Sequence, residues 1–315
     1  MHPAFSVIFF TVGSGTGYGL LALTGFLVVA GLLPTESLFG LFVLGAGLGL
    51  VTVGLLSSTY HLGHRERALG AFTQWRTSWL SREGVISTAT YLPVLLFLYA
   101  WYFYEGNVAM FSMWAVLTAI SSLLTVFCTA MIYRSLAPIH QWCNKWTVPV
   151  YLGMGLAGGS VILLAFLRLF QFNTSTAPFC ALLLLVLAWG LKVRYWRFID
   201  TTHHQSTPES ATGLGFLGQV RILESPHTED NYLMTEMGYR IARKHANKLR
   251  RYVHLAGFAL PSILVVLSGF LPGSGGAGLT VVAAISFLLG AIIERWLFFA
   301  EAKHTVTLYY GADRV

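Results

Sequence analysis

Two ionisable residues border long apolar runs. His61 closes one in the segment TYHLGHRERA, and Glu83 opens the next in SWLSREG. Glu294 and Arg295 interrupt a later run more than a helical turn before its end. Glu294, Phe298, Glu301 and His304 follow the spacing i, i+4, i+7, i+10, which places them on one helical face. A charge within a membrane span is costly and points to function. For Glu294 and Arg295 the competing reading is a structural ion pair; for His61 it is an interfacial helix end. Together the groups suit a proton-coupled redox site. Oxidising a quinol releases two protons with two electrons, so the site needs partners for two oxygens and a proton acceptor. Histidine titrates in the right range for that task. His61 would hydrogen-bond one quinol oxygen and take its proton, Glu83 would assist the second, and Arg67 would stabilise developing negative charge. Glu294, Arg295 and His304 would bring further polar contacts to the same interface, and an apolar, aromatic wall would hold the ring.

Other chemistries fit less well. Gly213, Gly215 and Gly218 spell GxGxxG, but a dinucleotide site needs that motif between a strand and a helix, and here it falls in a polar loop. The ten histidines all map to the charged ends of the runs, which excludes haems stacked across a membrane. The three cysteines, Cys128, Cys143 and Cys180, include no CxxC pair, too few and too scattered for an iron–sulfur cluster or structural zinc. They read as space-filling residues. The chain is expected to carry no haem, no cluster and no metal.

The elements that would position these groups are membrane helices. Hydrophobic residues make up 55% of the 315 positions and charged residues 10%, too few charges to cover a water-soluble surface. Apolar runs of about 20 residues recur, the length that crosses ~30 Å of hydrocarbon. The pattern predicts an all-α integral membrane fold, an eight-helix transmembrane bundle forming one domain, with spans near 5–32, 38–61, 84–104, 108–131, 147–170, 176–197, 252–271 and 277–300. The first run is long and has no basic residue before it, so it reads as a retained helix rather than a signal peptide.

Of the 20 Lys and Arg residues, all but Arg168 fall on or near one set of connections, 62–83, 132–146 and 198–251, or near the last span. The positive-inside rule makes that face cytoplasmic, with both termini inside. The net charge of +7 is therefore a topology signal and does not suggest nucleic acid. Residues 231–251, NYLMTEMGYRIARKHANKLRR, read as a basic amphipathic helix at the end of the 198–251 loop, suited to membrane lipid headgroups or a protein partner. Glycines at 13, 15, 17 and 19, at 45 and 49, and at 155 and 159 give small-residue spacings that let helices approach closely.

The same residues carry a resemblance. YHLG at Tyr60–Gly63 with Arg67 and Ala68, SWLSRE at Ser78–Glu83, ERWLFFAEAKH at Glu294–His304 and YYG at Tyr309–Gly311 resemble the DmsC-type membrane anchor of dimethyl sulfoxide reductase. SGTGYG near the N-terminus and EMGYRIARKHANKLR at Glu236–Arg250 fit longer members of that family. The resemblance implies an eight-helix subunit of the bacterial inner membrane that oxidises menaquinol and binds no haem. It implies two partners: a ferredoxin-like subunit with four [4Fe-4S] clusters, and a molybdenum bis-guanylyl-dinucleotide catalytic subunit that reduces S- or N-oxides in anaerobic respiration. The family's quinol-site histidine maps onto His61, and its acidic residue after LS onto Glu83. The chain departs from the family where His64 and Arg65 replace the Ser-Pro often found after HLG, and in the 198–251 insertion. The charge bias also gives the opposite orientation to the shorter type member, whose termini lie outside.

Two other classes compete. A secondary transporter favours charges near the midplane, broken helices and repeated halves; here the charges gather at one face and no half-repeat is visible. A purely structural anchor would leave quinol chemistry to another protein.

Overall fold

A computed structural model describes residues 5–59, 69–70, 72–172, 176–203, 205–224 and 244–310. Among these residues, eight helices are long and apolar enough to cross a membrane: α1 (Phe5–Val29), α2 (Ser37–Thr59), α3 (Trp79–Phe103), α4 (Val108–Arg134), α5 (Thr147–Leu169), α6 (Thr176–Thr201), α7 (Ala246–Ser268) and α8 (Gly273–Ala300). Lipid offers no partner for backbone N–H and C=O groups, so a chain this apolar satisfies them internally as helices. Several helices run past their apolar stretches. α3 starts at Trp79 because the Ser78 side chain accepts a hydrogen bond from the Ser81 N–H and caps the first turn.

The helices form two four-membered bundles. In the first, α1 packs on α2 and α4, and α3 packs on α2 and α4; in the second, α5 packs on α6 and α8, and α7 packs on α6 and α8. The bundles join chiefly where α1 meets α5. The sequence shows no half-repeat, yet the two halves share one cyclic order of neighbours. Because three helices, an odd number, lie between α1 and α5, both run in the same direction.

Glycine makes the junction possible. A Cβ added to Gly155 would stand 2.7 Å from the carbonyl oxygen of Gly15, and one on Gly19 or Gly159 would collide with backbone of the opposite helix. The 15, 19, 155 and 159 positions thus lie at a helix crossing. Gly45 and Gly49 do not: nothing lies within 4 Å of a Cβ at either. In α2 it is Gly47 and Gly54 that face α1. The expected Gly45–Gly49 pair is therefore not a packing face, and the two glycines that do meet α1 stand seven residues apart.

α7 is not regular. Its middle, Val253–Ala259, is a π-helix. There the Ser286 hydroxyl donates to the Ala256 carbonyl at 2.7 Å, and Gly257 lies against Gly290 of α8. A wider helical turn leaves carbonyls poorly paired; Ser286 satisfies one of them.

Candidate functional site

Six residues carried the expectation: His61, Arg67, Glu83, Glu294, Arg295 and His304. His61 and Arg67 lie outside the described residues, as does most of the basic segment 231–251. The other four can be placed.

Glu83 sits one turn into α3 and is 5% exposed. The Thr129 hydroxyl of α4 donates to its carboxylate. The Thr125 carbonyl, 3.1 Å away, is the alternative acceptor for the same hydroxyl proton, and Thr125 meets Thr90 at 3.5 Å, so hydroxyls line the first bundle beside the acid. Below it, the guanidinium of Arg82 lies 4.3 Å from the Trp79 ring centre and donates to the carbonyls of Trp75 and Arg76, at 2.9 and 2.6 Å. That staple fixes the 72–78 turn against the start of α3.

Glu294 and Arg295 lie at the matching end of the second bundle, 0% and 3% exposed. Arg295 Nη2 is 3.2 Å from Glu294 Oε2. The pair is not alone: Lys192 Nζ of α6 lies 2.5 Å from Glu294 Oε1, and both side chains are fully buried. The Lys192 ammonium also rests 4.1 Å from the Tyr195 ring centre and 4.8 Å from that of Trp196, while the Arg295 guanidinium rests 3.9 Å from that of Tyr151. Two cations and one carboxylate are enclosed together, and aromatic faces stabilise the excess positive charge. No acceptor meets Arg295 Nε or Nη1 with hydrogen-bond geometry. Glu294, Arg295 and Tyr151 border a crevice between α1, α5 and α8, lined also by Thr11 and Thr16, with room for about one water molecule.

Sequence reasoning placed Lys192 among the charges of the basic face. It lies instead inside the bundle, and Arg295 with it, so neither is a face charge. A signal was available: Trp189, Lys192 and Trp196 share a helical face at i, i+3 and i+7, two turns before α6 ends.

His304 corrects a second expectation. α8 ends at Ala300, so the run Glu294, Phe298, Glu301, His304 does not continue as one helical face. His304 instead forms an isolated bridge with Ile139, in the connection between α4 and α5. Its Nδ1 accepts from the Val306 N–H at 3.0 Å, and burial holds the ring below the usual histidine range. Glu301 turns back toward the bundle, 8% exposed. Arg250 Nε donates to it at 2.8 Å, and Arg250 also makes two bonds to Asp200, of 2.7 and 3.0 Å. Burial lifts the Glu301 carboxyl above the usual range, against the pull of Arg250.

Aromatic rings link the two bundles. Tyr133 of α4 lies one turn beyond Thr129 and stacks on Tyr151 of α5, with ring centres 5.7 Å apart. Tyr133 is within electrostatic reach of both Glu83 and Arg295. Glu83, Glu294, Arg295 and Lys192 thus gather at one end of the bundle, where proton transfer and the binding of a polar headgroup are both chemically available.

The family described as DMSO reductase anchor subunit (DmsC) matches residues 1–311. The chain belongs to this anchor-subunit family. The whole length is also similar to a subunit of the sulfite dehydrogenase of Allochromatium vinosum, with 32% identity over 98% of this chain and 99% of that protein. No solved structure matches the chain. Membership identifies a multi-pass membrane anchor subunit and sets aside the secondary transporter.

Proposed function

We propose that this anchor exchanges electrons and protons with the quinone pool on behalf of a molybdoenzyme, oxidising quinol at its basic end. The observation that carries this reading is Glu83, a buried acid held by Thr129 one turn inside α3. A carboxyl at that depth can take a proton from a bound headgroup. His61 and Arg67, from the connection that enters α3, would complete the site. The electrons pass to a ferredoxin-like subunit with four [4Fe-4S] clusters, and from there to a molybdenum bis-guanylyl-dinucleotide subunit. The resemblance favours menaquinol as donor, a bacterial inner-membrane location and, by the charge bias, cytoplasmic termini and partners.

The test uses the whole complex. His61→Ala and Glu83→Gln are expected to lower quinol-dependent reduction of the terminal acceptor by ~10²-fold or more, as for loss of a positioned acid–base group. Reduction driven by an artificial dye should persist, because a dye reaches the clusters directly. Equal loss of both activities would mean that these residues support assembly; no loss of either would make the chain a structural anchor. A second reading rests on the full-length similarity to a sulfite dehydrogenase subunit. The same site would then run in reverse, delivering two electrons and two protons to quinone. Sulfite-driven quinone reduction by the complex would decide for that direction.

A further inference from the structure

The quinol site proposed at Glu83 uses neither Lys192 nor the Glu294 and Arg295 expected to add polar contacts there, and these three are the most completely buried charges among the described residues. A structural ion pair needs one cation for one carboxylate. Here two cationic side chains meet one carboxylate, next to space for about one water, so the cluster is more than a simple pair. The cluster is also not isolated. On one side the Tyr151 ring, whose hydroxyl is buried without a hydrogen-bond partner, stacks on Tyr133, one helical turn from the Thr129 that bonds Glu83. On the other, Lys192 is within electrostatic reach of Glu301, whose Oε2 is buried without a hydrogen-bond partner. Arg250 joins Glu301 to Asp200, which is 53% exposed.

We infer that Lys192 and Glu294 are the central relay of a proton route that crosses from the first bundle to the second, from Glu83 to the rim at Glu301, Arg250 and Asp200.

The proposal rests on the quinone-pool reading above. Quinol oxidation releases two electrons, which leave to the iron–sulfur partner, and two protons, of which Glu83 takes one. That proton passes by the Tyr133 and Tyr151 hydroxyls and crevice water to the Glu294 carboxylate. Protonated Glu294 leaves Lys192 without its counter-charge, so the Lys192 ammonium releases a proton to the Glu301 carboxylate. Neutral Lys192 then recovers a proton from Glu294, restoring the pair, and Glu301 discharges at the rim. One proton enters and one leaves; no other reactant is consumed. With quinone reduction the same steps run backwards. Arg295 takes no part in transfer, because guanidinium keeps its proton. It fixes the resting charge. The other titratable groups facing the cluster are Tyr195 of α6 and His254 of α7; the His254 Nδ1 is occupied by the Trp189 N–H at 2.8 Å.

Lysine and arginine differ in the one property that matters here: an ammonium can give up its proton in a buried site, and a guanidinium cannot. The experiment compares Lys192→Met, Lys192→Arg and Lys192→His in the assembled complex. Lys192→Met leaves the neutral Glu294–Arg295 pair, so assembly should survive. A relay predicts that Met and Arg both slow quinol-dependent turnover by ~10²-fold, that His restores part of it with a new dependence on pH, and that dye-driven turnover and the Kd of a quinone analogue stay unchanged. Wild-type rates in Lys192→Arg would reduce Lys192 to a charge partner and overturn the relay, as would full activity in Lys192→Met. Should the Lys192 variants fail to assemble, Glu301→Gln at the rim tests the same route; the relay expects the same loss there, and full activity would overturn it. If wild-type complex does not exchange electrons with quinone in either direction while dye-driven turnover persists, the functional reading itself fails, an outcome separate from either result with the variants.

Discussion

The two bundles repeat one arrangement of helices but handle buried polarity in opposite ways. In the first, one carboxyl, Glu83, sits among hydroxyls, and the atoms around it are neutral. In the second, Glu294 is clamped between Lys192 and Arg295. Removing an acid therefore means different things in the two halves. A lone acid can gain or lose a proton without leaving a counter-charge behind. A clamped acid cannot be removed without stranding two cations. The first arrangement suits exchange with a passing ligand, and the second suits holding a charge in place until a proton arrives.

The largest expected effect sharpens that contrast. Glu294→Leu strands Lys192 and Arg295 and should cost about 3–5 kcal/mol of stability, measured by unfolding of the chain in detergent. Glu83→Leu leaves Thr129 its bond to the Thr125 carbonyl and should cost about 1 kcal/mol or less. Equal losses would erase the distinction between the halves.

A smaller effect concerns the junction. Gly159→Leu drives a side chain into the backbone of α1 and should cost about 1–3 kcal/mol. Gly45→Leu meets open space and should cost nothing measurable, although both glycines belong to the same spacing motif.

The smallest expected effect is at the rim. Burial raises the Glu301 carboxyl above its ordinary range, so the folded chain holds that proton more tightly than the unfolded chain. Its contribution is present below the ordinary carboxylate range and is lost as pH rises through the raised value. Glu301→Gln should flatten that part of the stability-against-pH curve without shifting the rest.

The eight helices were legible because length and apolarity alone dictate them. The residues that matter most were legible in part. Glu83 and Glu294 announced themselves as acids at or inside an apolar run. Lys192 did not, because Arg194 and Arg197 follow it closely and the three read as one basic flank. What separates them is which side of α6 faces its neighbours, and that is settled by packing against helices far away in the sequence. His304 was misplaced for a local reason: nothing in ERWLFFAEAKH marks the end of the helix at Ala300, and the bridge that captures His304 comes from Ile139, on a different connection.

The π-helical segment Val253–Ala259 amounts to one surplus residue in α7. Deleting a single residue there, for instance Ala256, would let the helix revert to a regular winding. The wide turn absorbs that residue, so the helix on either side would keep its facing, and Arg250 would still reach Glu301 and Asp200. What would be lost is local. In a regular winding each carbonyl returns to an N–H of its own helix, and the Ser286 hydroxyl of α8 would no longer find an open acceptor on α7. The extra residue therefore works as a built-in socket. It frees one backbone acceptor of α7 for a neighbouring helix, so a length change of one residue here should loosen α7 from α8 while leaving the rim contacts in place.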